Sequence, residues 1–83
     1  MIHRDDIKSL IQASLPDAEV MVHGDDGQHF EAEVISPAFE GKNMVKQHQM
    51  VYAALGDRMQ TGEIHALALR TYTPAEWQAR QPQ

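Results

Sequence analysis

Cysteine is missing from the chain altogether. No disulfide can staple the fold, so helix and sheet packing must hold it. Nor can the chain offer a thiolate to a metal or act as a thiol nucleophile. Long apolar runs are missing too: none approaches the roughly 18–20 residues that span a bilayer. Met1 to Asp6 includes His3, Arg4, Asp5 and Asp6, and no apolar stretch follows. No secretory signal is therefore expected, and a cytoplasmic, membrane-free setting is the simplest expectation. Catalytic signatures are also absent: there is no P-loop, no HExxH, no Ser-His-Asp constellation and no EF-hand spacing.

Cations are few. Seven Lys and Arg stand against twelve Asp and Glu, for a net charge of −5. The shortfall is uneven: residues 1–39 hold two cations against eight carboxylates, and residues 40–83 hold five against four. Each phosphate contact needs a cation, so tight nucleic-acid binding is disfavoured and only a weak contact by the second half stays open.

Apolar residues make up 42% of the 83-residue chain and charged residues 23%, so a folded globular domain is expected rather than disorder. The length suits one domain spanning residues 1–83, with an ordered core over residues 5–79. Such a chain buries only about 60–65% of its unfolded surface. Little room remains for a deep catalytic cleft, which favours a binding module over an enzyme.

Periodicity sets out the elements. Asp5 or Asp6 caps a first helix with Ile7, Leu10, Ile11 and Leu15 on one face, ended by Leu15-Pro16. Glu19 to His23 reads as a strand. Gly24-Asp25-Asp26-Gly27 turns the chain, and alternation resumes with Phe30, Ala32 and Val34 facing one way. Met44, His48, Val51, Leu55 and Met59 form a helical stripe that Gly56-Asp57 bends or splits, and Thr61-Gly62 closes it. Ile64 to Thr71 is a third strand. Thr73-Pro74-Ala75-Glu76 opens a last helix through a capping box, Trp77 on it is expected to seal the core, and Gln81-Pro82-Gln83 is expected to fray. Met21, Met44, Met50 and Met59 read as core filler. The expected architecture is α+β, in the order α-β-β-α-α-β-α: a three-stranded sheet with helices on one face.

At this point particular residues resemble a family. Phe39-Glu40-Gly41-Lys42, Val45-Lys46-Gln47-His48-Gln49-Met50-Val51-Tyr52 and Ile64-His65-Ala66-Leu67-Ala68-Leu69-Arg70-Thr71-Tyr72-Thr73-Pro74-Ala75-Glu76-Trp77 resemble the BolA pattern. So does Gly27-Gln28-His29-Phe30 at the hairpin end. The likeness runs from Ile7 to Trp77, and the short Gly-Asp-Asp-Gly turn is nearest the acid-stress, IbaG-like branch. It implies a two-layer class II KH-like topology. It also implies a non-enzymatic adaptor that pairs with a monothiol glutaredoxin of the CGFS type and shares a [2Fe–2S] cluster with it, in iron–sulfur trafficking or an iron or acid-stress response. The glutaredoxin supplies a cysteine and bound glutathione. This side supplies the histidine at the start of the third strand, His65, and a second ligand from the hairpin loop; the isolated chain holds no cofactor. The candidates for that second ligand are His29, His23 and Asp26.

The chemistry permits it. Iron–sulfur iron usually takes thiolates, but imidazole replaces them in Rieske centres. A cysteine-free chain therefore cannot hold a cluster alone, yet it can lend one or two imidazoles to iron whose thiols come from elsewhere. Imidazole must be neutral to ligate, so acid opposes the complex. His65 shares strand parity with Leu67 and Leu69, and without the resemblance a rim histidine bonded to backbone would be the plain interpretation. His48 on the helical stripe suits a packed structural place. His3 lies at the chain end, and turn chemistry accounts for Asp25 and Asp26.

The expected partner face joins His65, the turn residues Gly24 and Asp26, and the basic start of the central helix at Lys42 and Lys46, which would steer an acidic surface. The free protein is expected as a monomer or weak homodimer. The competing expectation is a transcription regulator that uses a helix-turn-helix-like surface, with Lys42, Lys46 and Arg58 on phosphates. No GXXG loop of a nucleic-acid-binding KH domain stands between those helices.

Overall fold

A computed structural model describes residues 2–80; the fraying expected of Gln81 to Gln83 lies outside the described residues. Helix α1 spans Arg4–Ser14, strand β1 Glu19–His23 and strand β2 His29–Ile35. A 3-10 turn over Pro37–Phe39 leads to α2, Met44–Leu55, and the short α3, Arg58–Thr61. Strand β3, Ala66–Tyr72, and helix α4, Pro74–Arg80, complete the described chain. The sheet is mixed, in the order β1-β2-β3: β1 and β2 form an antiparallel hairpin, and β2 and β3 run parallel. A parallel pair needs a long crossover, which α2 and α3 provide.

Each boundary has a local cause. The start of α1 lies earlier than Asp5 or Asp6 as caps would put it. His3 is the cap: its Nδ1 accepts the Asp5 N–H at 3.2 Å, and the Asp6 carboxylate reaches back to the His3 N–H at 2.9 Å. The two acids then sit at the positive end of the helix dipole. Gly56, at φ +64°, ends α2, and Gly62 ends α3 in the left-handed conformation. Thr73 and Glu76 exchange the two hydrogen bonds of the expected capping box.

One face of the sheet carries the core. Ile7 and Ile11 of α1, Val20 of β1, Phe30 and Val34 of β2, and Val51 and Leu55 of α2 meet there with Phe39 and Ile64. The buried stripe of α2 keeps the expected Val51 and Leu55 but begins at Gln47 in place of Met44 and His48. Gln47 tolerates burial because its polar atoms are engaged: Nε2 donates to the Lys42 and Phe39 carbonyls, and Oε1 accepts from Thr71 Oγ1 at 2.8 Å. Met44 is left outside, 67% exposed, so it is not core filler; Met50 and Met59 do pack against the core. His48 meets the ring of Tyr52 on the outer side of α2. Trp77 does not seal the core either. It lies half-buried against Tyr72, ring centroids 5.2 Å apart, with the Arg80 guanidinium over both rings. Tyr72 is in register with Ile35, and Trp77 and Ile35 line one small groove, so α4 shields the far end of the sheet while α1 and α2 form the helical layer.

Candidate functional site

The hairpin turn and the entry to β3 form one corner of the molecule. Gly24 begins the turn at φ +139°, where a Cβ would stand 2.5 Å from the His29 carbonyl oxygen, so only glycine fits. Asp26 then closes the loop. Its Oδ1 accepts the backbone N–H groups of Gln28 and His29, each at 2.8 Å, and its Oδ2 lies 2.9 Å from His29 Nδ1. The His29 backbone N–H above all, then the His29 ring and the Gln28 N–H, hold the Asp26 carboxyl far below the usual carboxylate range. An ionised carboxylate only accepts, so the contact puts a proton on His29 Nδ1, and in the neutral ring Nε2 then keeps a lone pair.

His65 comes from the other side of the fold. Ile64 is fully buried and anchors the chain before it, and the Ala66 N–H donates to the Gln28 carbonyl at 2.9 Å after it. His65 stands between these anchors. It shares parity with Leu67 and Leu69, which pack against the core, yet it is exposed, because the ladder begins only at Ala66. Its ring meets His29 edge-on, centroids 5.5 Å apart. His29 is exposed as well, in register with Ala66.

Of the residues singled out in the sequence, the structure brings together His65, His29, Asp26 and Gly24. His23 ends β1, paired with Glu31, and lines an open groove of about 550 Å³ with Gly24, His29 and Ala66. Through Glu31 it is in register with Ala68, three residues past His65, so it stands two strand spacings across the sheet and about 10 Å along it from His65. Asp26 is exposed, but its carboxylate is committed to the turn and to His29.

Lys42 and Lys46 do not join this corner. They flank the start of α2, where Asn43 caps the helix by accepting the Lys46 N–H at 2.9 Å, and the Gln47–Thr71 bond pins that start to the end of β3. From His65 to Thr71 the strand covers about 20 Å. The expected single face is thus two patches at opposite ends of β3. Arg58 is engaged too: Nη1 donates to the Leu55 carbonyl at 3.0 Å, and Nε lies 3.7 Å from Glu63.

Two things escaped the sequence. The Asp26–His29 bond was present only as an Asp-x-x-His spacing within a turn, a pattern too common to single out. The exposed pair Met44 and Val45 was hidden by the apolar stripe it extends.

Among the described residues no group of three or more His, Cys, Asp or Glu is placed to hold a metal ion. The corner offers two exposed imidazoles. That donor set suits half the ligation of a [2Fe–2S] cluster, with the rest supplied by a second molecule. No helix of the described residues is long and apolar enough to cross a membrane.

The family model for BolA-like proteins matches residues 9–76. The acid stress protein IbaG of Escherichia coli K12 is 37% identical over 76 residues, 92% of this chain and 89% of its own length. A BolA homologue from Coxiella burnetii superposes with a TM-score of 0.80 at 47% identity, over 94% of this chain and 99% of that one. The BolA domain of SufE1 from Arabidopsis thaliana superposes at 0.75 with 33% identity, over 88% and 93% of the two chains. With its sheet order, its elements and most of its length shared in this way, the chain belongs to the BolA family.

Proposed function

We propose that the protein is a non-enzymatic adaptor that docks a monothiol glutaredoxin of the CGFS type and lends His65 and His29 to a [2Fe–2S] cluster held between the two. The observation that carries this function is the exposed His29–His65 pair in a chain without cysteine. The cluster is the cargo or signal of the pair; the partner's cysteine and glutathione complete its ligands. Membership of the BolA family supports the partner, and a cytoplasmic setting accords with it.

The chain's own part is simple. Two anchored backbones, at Ile64 and at the Asp26 turn, hold two imidazole rings side by side at the rim of the sheet. Little reorganisation is then needed on docking, which lowers the cost of binding. Protons compete for the same ring nitrogens, so acid releases the complex. Lys42 and Lys46, at the remote patch, steer an acidic partner surface without touching iron.

The test is anaerobic reconstitution with a CGFS glutaredoxin. A coloured 1:1 complex is expected, which His65→Ala or His29→Ala bleaches or shifts in visible circular dichroism. A colourless mixture of unassociated proteins contradicts the proposal.

A further inference from the structure

We infer that Asp26 is a positioning residue for His29: it fixes the ring in the tautomer that leaves Nε2 free for iron. The role deepens the cluster-sharing function proposed above and rests on it. Three contacts of one carboxylate divide its work. Oδ1 takes the two backbone N–H groups that close the turn, and Oδ2 takes the ring proton at Nδ1. Histidines that ligate metals almost always give their second ring N–H to such an acceptor, which orients the ring and raises its basicity.

The alternative is that Asp26 only shapes the turn. Two facts favour orientation. The side chains of Asp26 and His29 are 54% and 63% exposed, and a contact so open to water adds little stability even where it is an ion pair. The turn needs only Oδ1, already doubly occupied, so the second oxygen has no part in closing it.

Asp26→Asn separates the roles. The amide oxygen keeps both backbone bonds, while Nδ2 can only donate. Facing the ring, it favours the tautomer protonated at Nε2, the wrong one for ligation. The experiment has two arms. In the free protein, ring 15N shifts of His29 report the tautomer of the neutral ring. In the reconstituted complex with glutaredoxin, the rate of cluster loss to a chelator reports retention.

We expect the Nδ1–H form in the wild type, the Nε2–H form in Asp26→Asn with the backbone shifts of residues 24–30 retained, and cluster affinity lower by about 10–100-fold. An Nε2–H wild type overturns the role of Asp26, as does a variant that changes neither tautomer nor retention. If Asp26→Asn distorts the turn, Asp26→Ser keeps a backbone acceptor without the second oxygen, and the same outcomes apply to it. A wild-type mixture that stays colourless overturns the cluster-sharing function, even where the tautomer is held as described.

Discussion

Thr71 Oγ1 donates to Gln47 Oε1 at 2.8 Å, joining the last residues of β3 to the first turns of α2 inside the core. This bond sets the geography of the surface. It fixes the basic start of α2 at one end of β3, while His65 opens the other.

Gln47→Ala should therefore be costly. It leaves the Thr71 hydroxyl and the Lys42 carbonyl without their partner, while the Phe39 carbonyl keeps the Lys42 N–H. Buried polar groups stranded in this way cost about 2 kcal/mol. For a domain of this size that is a fall in Tm of about 10 °C. Urea unfolding followed by circular dichroism measures it, and a midpoint equal to the wild type's would contradict this account of Gln47.

Gly24→Ala should damage the site as well as the fold. The added methyl meets the His29 carbonyl in a backbone conformation that alanine resists. A loss of more than about 1 kcal/mol is expected. Cluster retention in the glutaredoxin complex should fall with it, because His29 is displaced. Retention unchanged in a destabilised variant would dissociate the turn from ligation.

Acid should weaken the hairpin turn through Asp26. Its carboxyl is held below the usual range by the His29 backbone N–H, the His29 ring and the Gln28 N–H. A depressed folded pKa gives stability that is fully present above the ordinary carboxylate pKa of about 3.9 and lost as pH falls below it. Amide exchange of Gln28 and His29, read from pH 5 down to pH 2 in wild type and Asp26→Asn, tests the sign: protection should drop on acidification only in the wild type.

Lys42→Glu with Lys46→Glu should slow association with an acidic partner surface and remove much of its salt dependence. The visible spectrum of the assembled complex should stay the same, because both lysines flank the helix start that Gln47 ties to Thr71, at the end of β3 away from His65. A changed spectrum would place the lysines closer to iron than β3 allows.

Much of the fold is legible in the sequence. Alternation marks β1 at its observed bounds, Glu19–His23, and the Thr73–Glu76 box marks the start of α4. What is not legible depends on tertiary partners. Gln47 is polar, so periodicity assigns it to the surface, and only Thr71 and two carbonyls make it a core residue. Met44 is apolar, and it is exposed because Gln47 takes its place at the start of the buried stripe. For the site, parity alone points His65 inward with Leu67; the ladder's start at Ala66 exposes it. His29 is one of three open candidates in the sequence, and the pairing of β2 with β3 is what sets its ring against His65.

The most direct measurement labels only this chain with 15N-histidine, assembles it with unlabelled glutaredoxin, reduces the cluster, and records pulsed electron paramagnetic resonance. Hyperfine coupling to 15N, reduced in His65→Ala and again in His29→Ala, is the predicted result. A reduced cluster in the complex with no coupling to nitrogen from this chain would contradict it.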